Sequence, residues 1–133
     1  MQRRQLASRT LAGAAIAASL PLVAKAAPGG RAKNVVFTAE DPGHWAGLEA
    51  IHVPEITVSG STLTVKTNHP MTQPHFIVSH TFVLEGGTFL SRKTFFYTDQ
   101  PVSEHTLPAG YKGRIIVTST CNLHDLWVKT ITV

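Results

Sequence analysis

The run Phe76-Ile77-Val78-Ser79-His80-Thr81-Phe82-Val83-Leu84, followed by Glu85-Gly86-Gly87, decides the fold. β-Branched and aromatic residues dominate this run, and such residues favour strands over helices. The adjacent glycines predict a turn that leads into a second strand over residues 89–97. This segment therefore predicts two consecutive antiparallel strands.

The same strand-like pattern continues on both sides of this hairpin. Ser59-Gly60-Ser61 marks a second hairpin turn, and no segment beyond the first 33 residues shows helical periodicity over three turns. The remaining candidate strands are short and separated by Gly, Pro and Asn turns; they cover residues 34–38, 56–58, 63–65, 114–119 and 126–133. Seven or so such strands predict an all-β fold, an antiparallel β-sandwich of the immunoglobulin-like type.

The first 26 residues are typical of a signal peptide. Arg3-Arg4 precedes a weakly apolar run at residues 11–23, and Ala24-Lys25-Ala26 is a small-x-small cleavage pattern. The paired arginines favour the twin-arginine route, with an ordinary Sec signal as the alternative. The apolar run is shorter than the roughly 20 residues that span a bilayer, so we expect no stable membrane insertion. We expect cleavage near Ala26-Ala27, a flexible leader at 27–33, a domain at 34–133, and a periplasmic or otherwise exported product.

Charge and cysteine content narrow the function. The formal net charge is +4, but four of the 12 Lys and Arg residues lie within residues 1–26. Eight basic and eight acidic residues remain beyond them, so a nucleic-acid partner is not expected. Cys121 is the single cysteine and has no disulfide partner within the chain. In an exported protein such a thiol is open to oxidation unless something, such as a metal, occupies it.

Three short clusters carry the residue types that bind transition metals. They are Glu49-Ala50-Ile51-His52-Val53-Pro54, His69-Pro70-Met71-Thr72-Gln73-Pro74-His75 and Cys121-Asn122-Leu123-His124. All three fall at predicted strand ends or in loops, which can converge at one edge of a sandwich. Imidazole suits iron, zinc or copper, and a thiolate adds a soft donor. Taken singly, a loop histidine is usually a solvated side chain, and Cys-x-x-His could be half of a zinc site.

Taken together, the clusters resemble the superoxide reductases, which include neelaredoxin and the iron-binding domain of desulfoferrodoxin. The resemblance rests on His-Val-Pro at His52, on His69-Pro-Met-Thr-x-Pro-His75, and on Cys121-Asn-Leu-His124-x-Leu-Trp127, in this order over residues 42–133. It implies one non-haem iron (Fe2+/Fe3+) in a square-pyramidal site, with four equatorial histidines and an axial cysteine thiolate. The implied ligands are His52, His69, His75, His124 and Cys121. His44, His80 and His105 receive no metal role.

The same resemblance implies an enzyme, an oxidoreductase that reduces superoxide by one electron to hydrogen peroxide. It also implies an electron donor, either rubredoxin-like or another small redox protein, and a homo-oligomer, tetrameric or dimeric. The sequence departs from the family pattern beside the first ligand, where Glu-Lys is usual and Ala50-Ile51 stands here. Glu49, one residue further back, is the candidate catalytic residue that would cap the open iron position. The missing lysine would slow the attraction of superoxide.

Two other functions fit parts of the pattern. A cupredoxin-like electron carrier would share the sandwich and a Cys/His pair, but blue-copper sites place a weak Met ligand after the Cys. No Met follows Cys121, and Met71 lies far upstream. A non-catalytic sandwich protein, metal-free or binding zinc, is the second alternative, and the five intact candidate ligands disfavour it.

Overall fold

Two β-sheets facing each other make up the described part of the chain, residues 33–133 of the computed structural model. The predicted signal peptide and all of the predicted leader except Lys33 lie outside the described residues. The strands are β1 Val36–Phe37, β2 Glu55–Ser59, β3 Thr62–Lys66, β4 Ile77–Leu84, β5 Phe89–Thr94, β6 Val102–Thr106, β7 Arg114–Cys121 and β8 Asp125–Thr132. A 3-10 helix at Gly43–Trp45 and a one-turn helix, α1, at Glu49–His52 join β1 to β2.

The sheets have five and three strands, in the orders β1-β8-β7-β4-β5 and β2-β3-β6. The predicted all-β sandwich is confirmed, and both predicted hairpins are present as β2–β3 and β4–β5. Two details differ from the prediction of about seven antiparallel strands. There are eight strands in residues 33–133, and β1 pairs parallel to β8. No helix among the described residues is long and apolar enough to cross a membrane.

The core lies between the sheets and follows the period-two pattern of the strands. Along β7 the residues alternate between buried and more exposed positions, so one face of the strand points at the opposite sheet. The main apolar cluster comprises Leu63, Val65, Phe82, Leu84, Leu107, Ile115 and Val117. A smaller cluster of Ile77, Phe95 and Cys121, with Met71 against it, lies beside the far ends of β4 and β7.

The sixth strand was missed by sequence reasoning, and this changes the position of one histidine. Val102-Ser103-Glu104-His105-Thr106 pairs in register with β3 as β6. His105, which falls outside every strand predicted from the sequence, is buried on β6, with 7% of its surface exposed. Polar residues fill this strand, so its strand character comes from pairing with β3 and not from its composition.

Candidate metal centre

Five side chains from three segments of the chain converge at one edge of the sandwich. The nitrogen or sulfur ligand atoms of His52, His69, His75, Cys121 and His124 all lie within 4.8 Å of one another. His52 and His69 are buried, whereas His75 and His124 are only half-buried, so the cluster reaches the surface. All five residues predicted as ligands are therefore brought together.

Four local structures place these side chains. His52 ends the one-turn helix α1, which sequence reasoning did not predict. His69 and His75 stand on the loop between β3 and β4, in which Thr72 and His75 form an isolated antiparallel bridge. Cys121 is the last residue of β7, and His124 lies in the tight connection to β8. That connection is a tight turn, in which Asp125 adopts a left-handed backbone conformation with a φ of 63°.

Backbone carbonyls fix which ring nitrogen of two histidines points inward. His52 Nδ1 lies 2.9 Å from the Leu48 carbonyl oxygen, and His69 Nδ1 lies 2.6 Å from the Pro70 carbonyl oxygen. A carbonyl oxygen only accepts, so in both rings Nδ1 carries the proton. Burial lowers the pKa of His52, and it lowers that of His69 to about 4, so both rings are neutral. Their Nε2 atoms therefore present lone pairs to the centre.

The inward nitrogens cannot all satisfy one another by hydrogen bonds. His52 Nε2 lies 3.0 Å from His124 Nδ1, which lies 3.0 Å from His75 Nε2, which in turn lies 3.0 Å from His69 Nε2. Because the two outer nitrogens are acceptors, His124 and His75 would both have to donate to them. The contact between His75 and His124 would then bring two N–H groups together. A shared cation resolves this conflict, since it accepts all four lone pairs.

The separations also suit a metal ion. Consecutive nitrogens 3.0 Å apart fit the corners of a square whose centre lies about 2.1 Å from each corner, a normal metal–imidazole distance. Cys121 Sγ lies 3.7 Å from both His69 Nε2 and His124 Nδ1, which are non-adjacent corners. The four nitrogens and one sulfur thus form a plausible site for one transition-metal ion.

Burial raises the pKa of the Cys121 thiol, while hydrogen bonds with the backbone at Leu123 and His124 act in the opposite direction. A metal ion would reverse the balance, because a coordinating thiol is deprotonated. The same backbone contacts would then stabilise a thiolate in the last turn before β8. Burial, followed by the nearby His124, also lowers the pKa of His75.

Two tryptophans support the cluster, and sequence reasoning gave them no role. Trp127 stacks on His52 with ring centroids 5.3 Å apart, and its Nε1 donates to the His124 carbonyl at 2.8 Å. Trp45 meets the His124 ring edge-on at 4.6 Å and donates to Asp125. Trp127 stands three residues after His124 in the motif Cys121-Asn-Leu-His124-x-Leu-Trp127, and this position is the sequence signal that could have indicated its role.

The remaining candidates lie apart from the converging atoms. The Glu49 carboxylate accepts a hydrogen bond from the Gly47 amide at 2.8 Å and is not one of the five clustered groups. Met71 Sδ accepts from the Ile77 amide at 3.4 Å. His80 and His105 lie within the sandwich, bonded to Thr67, Ser103 and Ser91 side chains. His44 bonds to Asn34 on the surface.

A β-sandwich with four histidines and one cysteine clustered at its edge indicates a protein that binds a single transition-metal ion. The sequence profile described as Desulfoferrodoxin matches residues 44–130. The chain therefore belongs to the desulfoferrodoxin family, the family of the superoxide reductases.

Solved structures share this fold. The superoxide reductase (neelaredoxin) from Ignicoccus hospitalis has a TM-score of 0.60 at 25% identity, over 74% of this chain and 93% of its own. The superoxide reductase from Giardia intestinalis has a TM-score of 0.55 at 23% identity, over 62% and 97% of the two chains. That from Treponema pallidum has a TM-score of 0.53 at 24% identity, over 63% and 69%. A search of curated proteins finds no match.

Proposed function

We propose that this protein is a superoxide reductase whose metal is one non-haem iron held by His52, His69, His75, His124 and Cys121. The observation that carries the proposal is the convergence of five donor atoms within 4.8 Å, in a chain of the desulfoferrodoxin family. Four imidazoles and a thiolate exceed the tetrahedral set of structural zinc and suit iron. When bound, iron would supply the one-electron couple that, with two protons, converts superoxide to hydrogen peroxide.

The protein's own contribution is geometry and access. His52 and His69 are held by backbone carbonyls and by the buried wall of the sandwich, so the inward nitrogens are preorganised. His75 and His124 border solvent, and the neighbouring Leu123 is 52% exposed, so a small anion reaches the site without a channel. Cys121 stands among Ile77, Phe95 and Met71, which keep water from its sulfur.

The deciding experiment combines metal analysis, optical spectroscopy and superoxide consumption on protein purified with iron. We expect one iron per chain, a thiolate-to-iron charge-transfer band in the ferric form, and superoxide reduction. Cys121→Ser should abolish the band and the activity, because an alcohol is a poor donor to ferric iron. Alanine at any of the four ligand histidines should weaken iron binding, whereas His105→Ala should retain iron. Equal iron loss in His105→Ala and His75→Ala would contradict the ligand assignment.

Glu49 is the group we propose to cap the open iron position in the oxidised state. It lies three residues before His52 on α1, and residues three apart share one face of a helix. Its hydrogen bond from the Gly47 amide is exposed to solvent, so the carboxylate can exchange this partner for another. Glu49→Ala should alter the ferric spectrum and its pH dependence while iron content stays unchanged. An unaltered ferric spectrum would remove Glu49 from the site.

Export, partner and assembly complete the proposal. The Arg3-Arg4 pair and the Ala24-Lys25-Ala26 pattern support twin-arginine export and cleavage near Ala27. Replacing both arginines by lysine should leave the precursor uncut, and a periplasmic protein that begins at Met1 would contradict cleavage.

The surface position of His75 and His124 supports reduction by a small, separate redox protein, rubredoxin-like or otherwise. Stopped-flow reduction with candidate donors tests the donor, and sedimentation tests a dimer or tetramer.

A further inference from the structure

Along two segments that lead to the metal centre, the inward-facing side chains change from apolar to hydroxyl-bearing before they reach a ligand. On the three-stranded sheet they run Leu63, Val65, Thr67 and then the ligand His69. On the five-stranded sheet they run Ile115, Val117, Ser119 and then the ligand Cys121. In each case a buried hydroxyl stands two residues before a ligand, between the apolar core and the site.

These hydroxyls belong to one buried hydrogen-bonded chain. Thr67 Oγ1 lies 2.8 Å from Ser119 Oγ and 2.9 Å from His80 Nε2. His80 Nδ1 lies 2.7 Å from Ser103 Oγ on β6. Thr67, His80 and Ser119 are 1%, 0% and 0% exposed. A neutral imidazole donates through one nitrogen and accepts through the other, and hydroxyls do both, so every member can be satisfied without water.

Thr67 is fixed through its backbone as well. Its amide donates to the Pro101 carbonyl at 3.0 Å, and its carbonyl accepts from the His69 amide at 2.8 Å. With its side-chain hydrogen bond to Ser119, Thr67 therefore links the loop that carries His69 to β7, which ends at Cys121. A buried hydroxyl that loses a partner has no water to replace it, so this link resists displacement.

We propose that Thr67 and Ser119, with His80 behind them, are positioning residues that set the distance between the His69 imidazole and the Cys121 sulfur. Neither hydroxyl belongs to the five clustered donor groups. Their hydrogen bond joins the two strands two residues before each ligand, where a strand advances about 7 Å. The 3.7 Å separation of Cys121 Sγ and His69 Nε2 is then transmitted from the sandwich to the site. The inference rests on the proposed function, since it assumes that these ligands hold a metal.

The test uses variants of the full mature protein loaded with iron. Thr67→Val keeps the shape and removes the hydroxyl, Thr67→Ser keeps the hydroxyl, and Ser119→Ala breaks the same bond from the other strand. Thr81→Val is the matched control. Thr81 is also a buried threonine, 8% exposed, whose hydroxyl accepts from Arg92 Nε at 3.0 Å. A general loss of stability should affect both threonine sites, whereas a positioning effect should appear only at Thr67 and Ser119.

We expect Thr67→Val and Ser119→Ala to shift the thiolate charge-transfer band and to weaken iron affinity about tenfold or more, measured by chelator competition. Thr67→Ser and Thr81→Val should keep the wild-type band and affinity. The proposal is overturned if Thr67→Val or Ser119→Ala folds and binds iron with the wild-type band and affinity. It is also overturned if Thr81→Val shifts the band equally. Should Thr67→Val fail to fold, Ser119→Ala decides.

A parallel titration with Co2+ separates failure of this inference from failure of the proposed function. The thiolate–Co2+ band reports the same sulfur–metal bond without superoxide chemistry. A wild type that binds Co2+ but does not reduce superoxide contradicts the function, and the comparison of Thr67→Val with Thr81→Val still decides the positioning role. A wild type that binds neither ion contradicts both.

Discussion

At the scale of single residues, the histidines divide into two groups by the direction in which their nitrogens point. Four aim a ring nitrogen at a common centre, and a cation would relieve the conflict among these nitrogens, which belong to His52, His124, His75 and His69. The two buried histidines outside the centre serve the sandwich instead. His80 has a partner on each nitrogen, whereas His105 has one nitrogen, Nε2, buried without a partner in the described part of the chain.

His105 should make the protein sensitive to acid. Burial lowers its pKa to about 4, whereas in the unfolded chain it titrates near 6.5. As pH falls below about 6.5, His105 becomes protonated in the unfolded chain, whereas in the folded protein it stays neutral until about pH 4. The contribution is therefore fully present above about pH 6.5 and is lost between the two values. It amounts to at most about 3 kcal/mol of unfolding free energy.

His105→Phe removes this titration and the unpartnered nitrogen while it keeps a ring beside Phe82, 3.5 Å between centroids. Urea unfolding at a series of pH values should show a shallower decline below about pH 6.5 than in wild type. At neutral pH the two proteins should differ by about 1 kcal/mol or less, because only a bond to Ser91 is lost. Equal slopes in both proteins would mean that His105 does not control the acid response.

At the scale of elements, the segment between β1 and β2 carries His52 to the site, and its shape depends on a tight contact. Gly43 has φ +52°, and a Cβ there would lie 2.3 Å from Asn34 Oδ1. That oxygen accepts a hydrogen bond from the His44 amide at 2.9 Å. This bond holds the His44 ring against Phe37, with ring centroids 5.2 Å apart. Trp45, two residues on, contacts His124.

Gly43→Ala should therefore destabilise the protein by about 1–3 kcal/mol, the cost of a strained backbone together with a displaced Asn34. Gly60→Ala is the matched control. Gly60 has a similar φ of +59° but no atom within 4 Å of the added Cβ, so it should show the backbone cost alone, about 1 kcal/mol. Chemical denaturation measures both. A loss at Gly60 as large as at Gly43 would contradict the role of the Asn34 contact.

The missing lysine beside His52 gives a prediction about the rate. Superoxide is an anion, and a cation near the open position raises its association rate. Ile51, half-buried on α1, offers none. Ile51→Lys should speed the reaction with superoxide, and the gain should shrink with added salt. Pulse radiolysis at several ionic strengths measures this, with the neutral Ile51→Gln as control.

An equal rate and salt slope in Ile51→Lys and Ile51→Gln would show that position 51 does not face the site. Lys66 is then the next cation to test, because it lines the same cleft as His69. Lys66→Gln should in that case lower the rate and the salt dependence of wild type.

The elements also show what the sequence can predict. Strands dense in β-branched residues, such as β4 and β7, were predicted because burial on the inward face dictates their pattern. β6 was missed because its strand character comes from its partner β3, and α1 because four residues cannot show helical periodicity. The predicted strand at 89–97 ends at Thr94, since Phe96 and Asp99 close a turn. The five residues of the cluster were predictable from their motifs, but not the inward nitrogen of each histidine.

At the scale of the whole molecule, the metal should join the two sheets, because its ligands extend from the loop after β3 to the end of β7. Binding to the folded chain alone stabilises it by about 4 kcal/mol at a thousand times the dissociation constant. For a domain of this size, that raises the melting temperature by about 10 °C or more. Differential scanning calorimetry of iron-loaded and chelator-treated protein measures it. Cys121→Ser should show a much smaller gain, and an equal gain in both would place the stabilising metal elsewhere.

The parallel pairing of β1 with β8 sets the order in which the chain can fold. Val36 is aligned with Leu126, 90 positions later, and Phe37 with Trp127, on which His52 stacks. During synthesis β1 therefore has no partner until β8 has been made, whereas the β2–β3 and β4–β5 hairpins can already pair. Contacts of such long sequence separation slow folding to milliseconds or seconds. Because Trp127 on β8 packs on His52 and His124 lies just before β8, we expect the five donor groups to come together late in folding, after β8 has paired.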